Sequence, residues 1–251
     1  VRTAGDLGVS GELPSHPELL DWMAVEFRES GWDVKRFFKL LVTSSAYRQS
    51  AAATPEKLEK DPSNRLISRG PRFRMDAEVI RDYALAASGL LVEKLGGPSV
   101  RPYQPEGVWE AVAMPESNTK KYVPDKGEGL YRRSLYTFWK RAAPPAMLET
   151  FNAPNREVCT VRRERTDTPL QALVTLNDPQ FVEAARVLAQ RVAAEAPTFE
   201  ARADALARRA LARPFREEEA SVVRESFDRL ASYYQAHPDD AEKLLSVGQA
   251  P

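Results

Sequence analysis

The chain has one cysteine, Cys159, and two histidines, His16 and His237, among 251 residues. A single thiol excludes an internal disulfide, a CxxCH haem attachment and a cysteine-rich zinc site within these residues. The two imidazoles stand far apart in sequence, neither at a metal-ligand spacing, so histidine chemistry is poorly supplied and no metal site is expected. An excess of one charge is also missing. Lys+Arg and Asp+Glu both total 36, which removes bulk attraction to nucleic acid or to an anionic membrane. No apolar run approaches the roughly eighteen residues of a membrane span, and no signal peptide is visible. Gly96-Gly97-Pro98-Ser99 lacks the glycine and lysine pattern of a P-loop or a dinucleotide fingerprint and reads as a helix end.

What is present is ample apolar material, 43% of residues, enough for a sizeable core. Helix signals recur along the chain. Ser15 to Glu18 reads as a capping box before an apolar stripe (Leu19, Leu20, Met23, Phe27) that ends at Gly31. Asp33 caps a second stripe (Val34, Phe37, Phe38, Leu41, Val42), and the two helices are expected to form an antiparallel hairpin. Thr54-Pro55 marks a connector and Asp61-Pro62 a further helix start. Asp76 opens a long helix that runs to Gly96-Gly97. Residues 98–129 lose all periodicity and are rich in proline and glycine, a long excursion of a kind uncommon unless it has a function or is disordered. The aromatic run Leu135 to Lys140 and the run Val158 to Arg162 predict a two-stranded ribbon. Thr168-Pro169 and Asp178-Pro179 start two more helices. Helical pattern resumes at Ala201, breaks at Arg213-Pro214 and restarts with Glu217-Glu218-Glu219, acids suited to a helix N-terminus. The expectation is a mainly α, irregular helical domain spanning 1–251, with a small β-ribbon and a proline-rich loop excursion. It subdivides into N-terminal helices (1–97), loop and ribbon (98–165) and C-terminal helices (166–251).

Local charge supplies the candidate site. Between Tyr131 and Arg165 stand Arg132, Arg133, Lys140, Arg141, Arg156, Arg162, Arg163 and Arg165 against Glu149, Glu157 and Glu164, a net +5 from eight basic and three acidic residues. Arg162, Arg163 and Arg165 lead into Thr168-Pro169, so guanidinium groups arrive beside free helix-start amides, a combination suited to a carboxylate, sulfate or phosphate. Arg133 and Arg141 stand in support. The competing reading is an internal ion network with Asp76, Asp82, Asp167 or Asp178. Trp139 and Trp109 would stack sugar rings, or else belong to the core. Cys159 reads as a small core residue and His16 as part of a capping turn. Acid pairs such as Asp76 with Glu78, or Glu149 with Glu157, would make a glycosidase-like dyad only if the fold joined them. Single-stranded nucleic acid suits a basic and aromatic mixture, but the zero net charge argues against it.

The blocks SHPELLDWMAVEF, LLVTSSAYRQS, GGPSVRP, RRSLYTFWKR, REVCTVRRERTDTPLQALVTLNDPQFVEAA and ALARPFREEE occur in this order. Together they resemble the C-terminal domain of unknown function of planctomycete cytochrome C domain-containing proteins. That resemblance implies a mostly helical domain, excised from a periplasmic or secreted protein whose upstream parts bind haem c. No cofactor is expected in these residues themselves. The resemblance implies the upstream domains of the same polypeptide as partners and gives no catalytic residue to carry over, while the lack of a long apolar run predicts no membrane insertion. RTDTP and FNAPN depart from the family pattern, so an acid at position 152 or 155 is absent here. The functional expectation is an interaction or anionic-ligand module, with acidic or sulfated glycan as the ligand class. A carboxylate enzyme acting on polysaccharide and a structural domain docking the cytochrome portion are the alternatives.

Overall fold

A computed structural model describes residues 3–251. Eleven α-helices make up the regular structure of these residues: α1 (Pro17–Glu29), α2 (Val34–Thr43), α3 (Ser45–Arg48), α4 (Pro55–Lys60), α5 (Ala77–Ser88), α6 (Ala146–Thr150), α7 (Pro169–Asn177), α8 (Pro179–Glu195), α9 (Phe199–Leu211), α10 (Glu217–Ala236) and α11 (Pro238–Leu245). The mainly α class is borne out. The chain forms two compact units, one of the residues up to Arg74 with Thr160–Arg163, the other of Met75–Cys159 with Glu164–Pro251.

In the first unit, α1 starts at Pro17 behind His16 without a side-chain cap. The expected capping box is not formed, because the Ser15 hydroxyl lies 3.0 Å from the neighbouring His16 Nδ1 instead. Gly31 and Trp32 both take positive φ between α1 and α2, and the Asp33 carboxylate then caps α2 by accepting from the Arg36 amide at 2.9 Å. Phe27 at the end of α1 meets Phe37 of α2 and Trp32 of the turn at ring distances of 5.0 and 5.1 Å. Arg36 adds a 2.8 Å bond to Glu26. The second proline helix start falls one site early. Thr54 caps α4 by accepting from the Lys57 amide, and Asp61-Pro62 closes a loop instead of opening a helix. After Pro62, Asn64 turns the chain at positive φ and bonds locally instead of extending a helix, its side-chain amide donating to the Arg69 carbonyl at 2.8 Å. There the Asp61 carboxylate accepts from the Arg65 and Leu66 amides at 2.7 and 3.0 Å. Burial works to raise this carboxyl, and the amide bonds outweigh it, holding it below the ordinary value. Arg69 clamps the loop by donating to the Asp61 and Pro62 carbonyls, each at 2.8 Å. No apolar side chain among the described residues of this unit is fully buried.

The second unit is built on α5 against α8. The buried register of α5 is Ala77, Arg81, Leu85 and Ser88, a helical spacing that places a charge in an otherwise small and apolar row. The helix ends at Gly89, earlier than Gly96-Gly97. Glycine is required there: φ is +76°, and a Cβ would fall 1.2 Å from the Arg191 guanidinium, which reaches across from α8 to the Ser88 carbonyl. Ala77, Met147, Leu148 and Phe151 form the apolar core, with Trp139, Val174 and Phe181 packed on it. The proline-rich excursion is irregular, as expected, yet ordered by its own contacts. Arg101 and Asp125 exchange bonds of 2.8 Å, and Trp109, 1% exposed, packs on Tyr122 and Phe138.

The two-stranded ribbon is not formed. Ser134–Tyr136 closes a 3-10 turn, and the following residues make only isolated bridges, Thr137 to Val100 and Lys140 to Ala143. The Phe138 amide donates to the Val100 carbonyl at 2.7 Å. Val158 and Val161 are exposed in irregular chain. Aromatic and β-branched residues signal a half-buried surface more than a strand as such, and here the excursion provides that surface. Cys159 is likewise exposed in this irregular stretch, not buried as its residue type suggests.

Thr168 forms a capping box with Gln171 at the start of α7, and Asp178 caps α8 by accepting from the Gln180 amide at 2.9 Å. At the start of α10, Glu219 accepts two bonds from Arg213, at 2.7 and 2.9 Å, and one from the Arg216 amide. The Arg213 contact, aided by the amide, lowers its carboxyl from 4.5 to about 2. A carboxylate with a lowered folded-state pKa contributes stability that is complete above its unfolded value and is lost as the pH falls through the folded one. Thermal melts should therefore fall between pH 4.5 and about 2, and Glu219→Gln should flatten that part of the profile.

Candidate functional site

The basic stretch is divided between the units. Arg162 and Arg163 fall in the first; Arg133, Arg141, Arg165, Thr168, Trp109 and Trp139 fall in the second. Within the second unit, Arg165 donates to Asp76 Oδ1 at 3.2 Å and Arg133 to Asp82 Oδ2 at 3.4 Å. Arg141 stands 4.0 Å from Glu157. Arg132, nearly buried, donates to the carbonyls of Pro98, Lys94 and Gly96 and lies 3.8 Å over the Tyr136 ring. Arg162 and Arg163 also have partners of their own. Thr168 spends its hydroxyl on the α7 cap. The aromatic candidates are engaged too. Trp109 belongs to the core of the excursion, with Lys140 and Arg101 over its ring at 4.9 and 5.8 Å. Trp139 packs on the apolar core, donates from Nε1 to the Asn155 carbonyl and carries Arg156 at 4.4 Å over its ring. Within the second unit, Arg133, Arg141, Arg165, Thr168, Trp109 and Trp139 thus each engage other protein groups.

The Arg165 pair is half-exposed, and such pairs contribute about 0–1 kcal/mol. Arg165→Ala should accordingly shift the unfolding midpoint by no more than about 3 °C, measured by circular dichroism.

A different polar cluster is the one the fold builds most fully. Arg81, 1% exposed, donates from Nε to the Gln180 amide oxygen. Its Nη1 reaches the Arg132 carbonyl at 2.8 Å and the Ser134 hydroxyl at 3.2 Å, and its Nη2 reaches the Leu130 carbonyl at 2.6 Å. Burial lowers its pKa to about 10, against the attraction of Asp82 and Asp178, so it stays charged at neutral pH. Asp178 is itself pushed up by burial, with the Gln180 amide and Arg81 opposing. On the next turn of α8, the buried Glu183 accepts from the Tyr131 hydroxyl at 2.8 Å and from the Gln249 and Ala250 amides at 2.6 and 2.7 Å. Burial and the Glu183 bond together drive the Tyr131 phenol well above its usual range. Sequence reading passed over both groups. The signal was there: Arg81 stands four residues after Ala77 and four before Leu85, and Glu183 lies beside Ala184 on the buried side of α8.

Among the described residues, no group of three or more His, Cys, Asp or Glu is placed to hold a metal ion. No described helix is long and apolar enough to cross a membrane.

Fold and polar cluster together define a helical domain whose buried charges tie its own segments to one another. The chain belongs to the PSD1 family, described as a protein of unknown function (DUF1553), whose model matches residues 1–227. No curated protein and no solved structure matches it.

Proposed function

We propose that the chain is an interaction module whose first unit is completed by other polypeptide. One observation carries this reading: the described residues of that unit bury no apolar side chain fully, while two of its helices show apolar rows to solvent. On α1 these are Leu19, Trp22 and Val25; on α2 they are Val34, Phe38 and Val42, spaced four apart. Rows of this kind in a soluble domain mark surfaces that another protein covers. On the resemblance drawn from the sequence, the partner is the haem-bearing part of the same polypeptide, outside the cytoplasm. An anionic glycan is the weaker reading, because Arg165, Arg133 and Arg132 already hold protein acceptors. The test is calorimetric titration of the chain with the separately produced remainder of its gene product. Saturable binding supports the module; no heat at high concentration of both rejects it.

A further inference from the structure

A small cavity in the second unit is lined by Gln104 of the excursion, Thr137, the Asp178 cap of α8 and the Arg81 side chain. Its free volume is about 10 Å³, roughly the room that one water needs. Two polar atoms of this lining are buried without a protein partner: Gln104 Nε2 and Thr137 Oγ1. Thr137 is 5% exposed, so bulk solvent does not satisfy it. Buried donors and hydroxyls in folded proteins are almost always bonded, to protein or to an ordered water.

We propose that one internal water is a fixed part of this unit, held by Gln104, Thr137 and Asp178 beside Arg81. The chemistry selects water over the other small occupants. The adjoining guanidinium disfavours a cation, the Asp178 carboxylate disfavours an anion, and the volume excludes any sugar or organic acid. Water supplies an acceptor to the Gln104 amide and a donor to the Asp178 carboxylate, and it bonds the Thr137 hydroxyl in either sense. Two to four such partners are what internal waters have. The site joins three segments that the sequence keeps apart, and it rests on nothing in the interaction reading above.

The test is a high-resolution crystal structure together with Thr137→Val, a change of little volume that removes the hydroxyl. The expected density is a single peak within hydrogen-bond distance of Gln104 Nε2 and Thr137 Oγ1. The variant, leaving the water one partner short, should melt about 2–4 °C lower. An empty cavity, or Gln104 and Thr137 each bonded to protein atoms instead, overturns the proposal. So does an unchanged or raised melting midpoint, since removing a hydroxyl that truly lacked a partner would stabilise the fold.

Discussion

Arg81→Leu should lower the unfolding midpoint of the second unit by about 10 °C, the effect of roughly 3–5 kcal/mol in a unit of this size. The side chain has the volume for leucine to replace much of its stem, so packing is not the main loss. What goes is the donor set. The carbonyls of Leu130 and Arg132, the Ser134 hydroxyl and the Gln180 amide oxygen all bond to this one guanidinium. Removing it leaves buried acceptors unpaired and Asp178 without its compensating charge, and each such group costs on the order of 1–3 kcal/mol. Arg81→Lys keeps the charge but not the planar fork, so it should recover part of the loss and no more. Calorimetry on the two variants checks the ordering; a leucine variant within about 2 °C of wild type would show that the network carries little of the fold's stability.

The second large effect is on association. Val34→Glu with Phe38→Glu should weaken binding to the covering polypeptide by a hundredfold or more, with the isolated chain melting as before. Phe38 is 60% exposed and Val34 53% exposed, so charges there remain solvated in the free chain, and surface changes of this kind stay within about 0.5 kcal/mol. In the complex they would be desolvated against an apolar face, and losing an aromatic anchor alone costs about 2 kcal/mol or more. Equal affinity for the variant and the wild type would exclude α2 as the contact.

Much of the helical framework was legible because caps are local. Asp33, Thr168 and Asp178 each announce a helix within a few residues, and each side chain makes the bond that its position implies. The ribbon was read where none forms, because pairing is decided by distant chain: the aromatic run found Val100, 36 to 38 residues upstream of Tyr136 and Phe138, whose backbone groups bond it. Trp109 illustrates the same limit. It sits in a stretch without period, so nothing local marks it as core, and its burial depends on Tyr122 and Phe138. The arginine stretch was visible as charge, and an ion network with Asp76 and Asp82 stood among its readings, but which arginine meets which acid was not legible, since Asp76 and Asp82 lie more than fifty residues before Arg133 and Arg165. For α1 and α2 the apolar stripes correctly gave helices, whereas the choice between a core and a docking face needed the exposure of Trp22, Val34 and Phe38.

The most direct test is amide hydrogen exchange on the chain alone and on the longer, haem-bearing polypeptide that the interaction reading makes it part of. The interaction reading predicts slower exchange across Pro17–Glu29 and Val34–Thr43 in the longer polypeptide, with α5 and α8 unchanged. Identical exchange of α1 and α2 in the two samples would contradict it.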